Sequence, residues 1–242
     1  MIKDFVLLLQ FMTRIPVPFR VEFNEERFGK STAMMPLVGL LIGIGLWSVL
    51  QGLIYLKLNS MVIATLLVIT EIIITGGLHL DGLADTFDGI FSYRSRDRIL
   101  EIMKDSRLGT NGGLALITFI ILKTGFLLDI NSRFLIIMPM LARMNVSWIA
   151  CLFPYARQKG MANPFITYSG WLQTIIATIF TTAVSIFLMG ITGLLFVVIA
   201  ILFALIFNLY LKQKIGGVTG DTFGATIELT SLCVLIAGVL LQ

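Results

Sequence analysis

Seven apolar runs, each of a length that can cross a bilayer, recur along the chain at 33–56, 61–79, 113–130, 134–153, 172–190, 192–211 and 225–241. About 20 such residues span a hydrocarbon core roughly 30 Å thick. Inside it the backbone N–H and C=O groups must pair within their own segment, which for separate runs means helices. The composition agrees. Of 242 residues 57% are hydrophobic and only 13% charged, against about 25% charged in a soluble domain. These residues cannot build a water-facing surface, which excludes a soluble Rossmann-type enzyme, a disordered chain and a secreted disulfide scaffold. The expected fold class is all-α: a polytopic integral membrane helical bundle of about seven transmembrane helices, forming one membrane domain over 1–242. The stretch 1–19 carries a short apolar run interrupted by Pro16 and Pro18, with no small-residue cleavage site after it. It reads as an N-terminal interfacial or re-entrant helix rather than a signal peptide. Cys151 and Cys233 lie in apolar segments without metal-ligand spacing and read as small core residues.

Basic residues record orientation. With the N-terminus inside, one set of connections holds Lys3, Arg14, Arg20, Arg27, Lys30, Arg94, Arg96, Arg98, Lys104, Arg107, Arg157, Lys159, Lys212 and Lys214. The other side keeps Lys57 and Arg133, while Lys123 and Arg143 fall inside spans. This asymmetry predicts seven crossings, N-in and C-out. It also accounts for the net charge of +4 without invoking nucleic acid. Outer loops are short, and the inner connections 80–112 and 212–224 have room for a site, so the chemistry is expected to face the cytoplasm.

Two glycine-rich acidic stretches stand on that inner side. In the first, Asp81, Asp85 and Asp88 are spaced i, i+4, i+7, within about 60° of one another on a helix face. No Lys or Arg lies within the same turns, so a divalent cation is the natural counter-charge. All-oxygen ligation favours Mg²⁺, Mn²⁺ or Ca²⁺. A solvated acidic helix start, favourable to the macrodipole, is the plainer alternative. Gly76, Gly77, Gly82 and Gly89 would let a bulky ligand come near the backbone. In the second stretch Asp221 and Glu228 are again seven apart, and Glu228 enters the last span, where a carboxylate needs a partner. Around Thr219 and Gly220, the glycines 216, 217, 220 and 224 resemble a phosphate-approach loop leading to a helix N-terminus.

Between the two, Arg94, Arg96 and Arg98 interleave with Asp97, Glu101 and Asp105 as in a salt-bridged amphipathic helix. Lys104, Asp105 and Arg107, beside Gly109, Asn111 and Gly112, read as a phosphate clamp. Glu71, Lys123 and Arg143 lie at equal depth, roughly 15 Å into their spans, which predicts a Glu71–Arg143 or Glu71–Lys123 pair inside the bundle. His79, the only histidine, sits about 200° round the helix from Asp81; it is a candidate base or outer ligand, or simply an interfacial polar residue.

The string TGGLHLDGLADTFDGIFSYRSRDRILEIMKDSRLGTNGGLAL (75–116) closely resembles the signature of the cobalamin synthase family, the adenosylcobinamide-GDP ribazoletransferases. QFMTRIPVP (10–18), MPLVGLLIG (35–43), LAR (141–143) and GGVTGDTFGATIELT (216–230) resemble it too, in order along essentially the whole chain. The resemblance implies a multi-pass inner-membrane enzyme of the last steps of coenzyme B12 assembly. It would join adenosylcobinamide-GDP to α-ribazole or its 5′-phosphate, release GMP and require Mg²⁺. It implies Asp81, Asp85 and Asp88 as metal ligands and catalytic groups, with one of them or His79 taking the hydroxyl proton. Asp221 and Glu228 would complete the metal site. Arg14, Lys104, Asp105, Arg107, Asn111, Thr219 and Gly220 would contact substrate. The partners implied are these small molecules and the lipid bilayer, with no nucleic acid; a homo-oligomer is left open. The alternatives are an enzyme like the CDP-alcohol phosphotransferases, whose arginine-containing pattern is absent here, and a transporter. A transporter spreads polar groups from one side to the other, whereas here they gather at one boundary.

Overall fold

The computed structural model describes residues 2–19, 21–129 and 131–241; Arg20, counted above among the inner basic residues, lies outside the described residues. The regular structure of the described residues is helical, apart from an isolated bridge between Tyr155 and Val218. The seven apolar runs correspond to α3 (Met35–Tyr55), α4 (Ser60–Thr75), α7 (Thr110–Leu127), α8 (Phe134–Leu152), α10 (Trp171–Met189), α11 (Thr192–Ile215) and α12 (Gly220–Leu240). Six are long and apolar enough to cross a membrane outright; α4 and the helix that follows it meet the same test only together, as a bent pair. The described residues add five shorter α-helices, α1 (Ile2–Met12), α2 (Glu25–Lys30), α5 (Leu78–Ile90), α6 (Arg96–Ile102) and α9 (Asn163–Tyr168), and a 3-10 turn over Ser31–Met34 that leads into α3.

Two helices form the centre. Along α8 even Arg143, Asn145 and Ser147 are buried, and α12 is buried on most of its surface. Lipid is as apolar as leucine, so the bundle cannot rely on excluding water and needs close packing. Gly39 and Gly43, spaced four apart on α3, provide it. A Cβ on Gly39 would strike the Pro139 carbonyl of α8, and one on Gly43 would lie 2.6 Å from the Ile136 Cα. The outer helices turn large apolar residues outward instead, among them Ile179, Phe187, Leu202 and Ile206.

The run 61–79 does not end where its hydropathy ends. Gly76 (φ 63°) and Gly77 (φ 71°) are both left-handed, a conformation that side chains with a Cβ resist, and the chain turns by 93° between α4 and α5. We take α4 as the crossing and α5 as lying along the membrane boundary. The sixteen residues of α4 rise about 24 Å, short of the full hydrocarbon core, so α5 starts close to its edge. α1, with eleven residues, is too short to cross, in line with the expected N-terminal helix. Its Phe11 joins Phe28, Phe165 and Phe223 in an aromatic row, with ring centroids 4.5–6.4 Å apart, that ties α1, α2 and α9 to the start of α12.

Candidate active site

Glycine brings the two acidic stretches together. A Cβ on Gly82 of α5 would lie 2.6 Å from the Asp221 carbonyl oxygen and 3.0 Å from its Cα. A Cβ on Gly224 would lie 3.0 Å from the His79 carbonyl and 3.5 Å from the Gly82 Cα. Backbones approach so closely only where one of the two residues lacks a Cβ, and the contact sets Asp221, at the head of α12, against the part of α5 that carries Asp81 and Asp85. Their charges act on one another. Burial, then Asp221, Asp81 and Asp88, push the half-buried Asp85 carboxyl up to about 7, with Arg157 opposing.

Arg157 is the cation that local spacing could not show. It stands on the connection between α8 and α9, and its Nη2 lies 2.7 Å from Asp221 Oδ2. That connection is held in register with the one before α12: Ala156 N donates to Val218 O at 2.8 Å and Val218 N to Pro154 O at 2.9 Å. Arg96 clamps both, donating from Nε to the Ile215 carbonyl and from Nη2 to the Ala156 carbonyl, each at 2.9 Å. A cavity of about 190 Å³ opens beside Asp81, Asp221, His79, Arg157 and Tyr155, walled by Phe11, Val146, Phe165, Phe223 and Ile227. A broader depression of about 950 Å³ shares Phe11, Gly160 and Met161 with it. Tyr155, which sequence reasoning also missed, has its phenol pushed up by burial.

The other residues singled out in the sequence are spread over several places. Asp88 caps α7: its Oδ2 accepts from Gly109 N at 2.7 Å and its Oδ1 from Gly112 N at 2.8 Å. A Cβ on either glycine would strike that carboxylate. Both oxygens are therefore engaged by backbone N–H groups, which gives Asp88 a structural duty that Asp85 lacks and leaves it one further acceptor position on each oxygen. Thr219 caps α12, accepting from Thr222 N at 3.3 Å while its hydroxyl reaches Asp221 Oδ2 at 3.3 Å. Gly220 opens α12 and lines the cavity.

Asp105 and Arg107 satisfy each other, and the guanidinium holds the Asp105 carboxyl down at about 2. Neither they nor the exposed Lys104 line the cavity, so the expected clamp does not form around it. Asn111 donates to the Phe91 carbonyl at 3.3 Å. Arg14 packs its side chain over Gly76 at the α4–α5 bend.

Glu228 is drawn away from Asp221 into the bundle. Lys123 Nζ lies 2.8 Å from Glu71 Oε2 and 3.4 Å from Glu228 Oε2, so of the two pairings left open, Glu71–Lys123 forms. Arg143 Nη2 lies 3.5 Å from His79 Nδ1 and its Nη1 donates to the Pro139 carbonyl at 3.1 Å. A guanidinium only donates, so this contact makes Nδ1 the acceptor and leaves the ring proton on Nε2, an atom without a hydrogen-bond partner. Glu228 Oε1 stands 3.9 Å from the same Nδ1, beyond hydrogen-bond reach.

Among the described residues no three His, Cys, Asp or Glu side chains already converge as a metal cage. The five-carboxylate set expected from the sequence is split: Asp81, Asp85 and Asp221 at the boundary, Asp88 on a helix cap, Glu228 in the interior. This donor set still suits Mg²⁺, which keeps several waters and takes one or two carboxylates plus substrate phosphates.

The fold and site define a polytopic α-helical membrane protein with an acidic, arginine-bearing pocket where helix meets loop. The chain belongs to the cobalamin-5-phosphate synthase family, whose model matches residues 4–239. It is 44% identical to the adenosylcobinamide-GDP ribazoletransferase of Clostridioides difficile (strain 630), with 97% of this chain and 96% of the relative covered. It is 40% identical to the protein of the same name from Caldanaerobacter subterraneus subsp. tengcongensis, covering 97% of each. With that of Fusobacterium nucleatum subsp. nucleatum it shares 41% over 95% of this chain and 94% of the relative. No solved structure matches.

Proposed function

We propose that this chain is an adenosylcobinamide-GDP ribazoletransferase, joining adenosylcobinamide-GDP to α-ribazole or its 5′-phosphate in cobalamin synthesis with release of GMP. Family membership over nearly the whole chain supports the activity. The observation that supports the site assignment is the Gly82–Asp221 contact, which puts Asp81 and Asp221 on the lining of one cavity and brings Asp85 within the influence of both charges.

In the reaction a ribose hydroxyl forms a bond to the phosphorus that carries the cobinamide arm. The bond from that phosphorus to the GMP oxygen breaks, and GMP leaves with the electron pair. Asp81, Asp85 and Asp221 would hold Mg²⁺, which when bound neutralises phosphate charge and acidifies an attacking hydroxyl. The hydroxyl proton passes to one of these carboxylates, directly or through water. The carboxylates are preferred to His79 because the contact with Arg143 leaves the His79 proton on Nε2. The aromatic wall of Phe11, Phe165 and Phe223 excludes water from the reacting phosphorus. Positioning and charge compensation then lower most of the barrier.

The surplus of basic residues on the connections that bear the site supports a site that opens to the cytoplasm of an N-in, C-out protein in the inner membrane. A cysteine at the exposed Tyr93 should react with an impermeant thiol reagent in inside-out vesicles and not in right-side-out ones. The activity itself is tested with purified protein in lipid, given adenosylcobinamide-GDP and α-ribazole with and without Mg²⁺. GMP should appear only with the metal, and its absence in both would refute the assignment.

A further inference from the structure

We propose that Arg157 is the phosphate-binding arginine of this pocket, and that its ion pair with Asp221 parks the guanidinium until a divalent cation claims that carboxylate. The inference rests on the reading above, that metal-assisted transfer at phosphate takes place here.

Among the described residues, Arg157 is the one Lys or Arg that lines the cavity. Lys104 and Arg107, the cations that the sequence suggested for phosphate, stand elsewhere, and Arg107 is already taken up by Asp105. A pocket that handles a nucleotide diphosphate needs an anion holder, and among the described residues of this lining Arg157 is the cation placed to be one.

Its hydrogen bonding is incomplete as it stands. Nη2 meets Asp221 Oδ2 at 2.7 Å and the Met103 carbonyl at 3.4 Å, while the buried Nε has no partner. An unpaired buried N–H is costly, and a guanidinium is a rigid fork that suits the oxygens of phosphate. Its backbone does not drift: the Ala156–Val218 pairing and the Arg96 clamp fix the connection on which it stands. The side chain therefore has two partners in reach, Asp221 while the pocket is empty and phosphate when it is full. A divalent cation held at Asp221 would take over as that carboxylate's counter-charge, and the freed guanidinium would donate from Nη and Nε to the incoming phosphate, which becomes its counter-charge in turn.

The parked arrangement makes a prediction of opposite signs. Mn²⁺ titrated into the full-length protein in lipid, without nucleotide, should bind Arg157→Gln about threefold or more tightly than wild type, because a competing positive charge is gone. GMP, titrated in the presence of the metal, should bind the same variant about tenfold or more weakly. Arg157→Lys, which keeps the charge and loses the fork, should show wild-type Mn²⁺ affinity with weakened GMP binding. An arginine that only braces the loop would weaken both ligands or neither, and either result overturns the proposal. So does an Arg157→Gln variant whose GMP affinity is unchanged. A wild-type protein whose Mn²⁺ binding is absent, or indifferent to Asp85→Asn, would instead defeat the underlying reading of the acidic pocket.

Discussion

Lys123 Nζ lies 2.8 Å from Glu71 Oε2 and 3.4 Å from Glu228 Oε2, so a single ammonium fastens α4, α7 and α12 together inside the bundle. With Arg143 nearby, two carboxylates and two basic groups balance, and all four are buried. Removing one member leaves a charge in a medium that cannot solvate it, at a cost of about 3–5 kcal/mol. Lys123→Met should therefore strongly lower the unfolding temperature in lipid. Lys123→Met combined with Glu71→Leu should recover part of the loss, since the charges balance again. Strictly additive losses would show that the pair is not coupled.

Asp85 and Asp88 lie less than one helical turn apart and should fail differently. Asp88 takes two backbone N–H groups at the start of α7, so Asp88→Ala should destabilise the fold by about 1–2 kcal/mol, as the loss of a helix cap does. Asp85 has no such duty and sits among like charges. Asp85→Asn should leave the unfolding temperature equal to wild type or higher, and abolish turnover. Thermal unfolding and GMP release, measured on both variants, separate the two roles.

The Asp85 carboxyl also fixes a pH dependence. Its value in the fold is about 7, against an ordinary 3.8. Between those values the folded chain binds a proton that the unfolded chain releases. The stability contributed by this group is therefore full below about pH 4 and is lost as pH rises through about 7. A divalent cation relieves the same repulsion. The rise in unfolding temperature on adding Mg²⁺ should be small at pH 5 and large at pH 8, and Asp85→Asn should flatten that dependence.

The helices were legible because hydrocarbon leaves the backbone one solution, and the seven runs 33–56 to 225–241 each carry a helix. The interior pairing was legible in part: equal depth set Glu71 against Lys123 or Arg143, and the fold selects Lys123. What local pattern could not show came from distant residues. The absence of a cation within the turns of Asp81–Asp88 argued for a metal, yet Arg157 arrives from a connection some seventy residues further on. The partners of Asp88, Gly109 and Gly112, are 21 and 24 residues away, so a capping carboxylate looked like a third ligand. Glu228 matched Asp221 in helical phase, but Lys123 lies deeper on a different helix and captures it. The run 61–79 concealed a right-angle bend because hydropathy averages over the two left-handed glycines that make it.

Gly82 tests the whole arrangement. Its missing Cβ is what allows the Asp221 backbone to sit on α5, and an added methyl would lie 2.6 Å from the Asp221 carbonyl oxygen. That contact is backbone to backbone, so no side chain can rotate away, and α5 and α12 must part by several tenths of an ångström or more. Asp81 and Asp85 on one helix then lose register with Asp221 and Arg157 on the other side. A displacement near 1 Å at a reacting centre can cost about a hundredfold in rate. Gly82→Ala should therefore lower turnover by about that factor, while the buried Lys123 cluster still holds the bundle and the protein still unfolds cooperatively. Gly113→Ala, whose nearest added contact would be 3.9 Å away on the Leu108 side chain, should retain near-normal turnover. Equal activities for the two variants would mean that the close approach of α5 and α12 does not set the site.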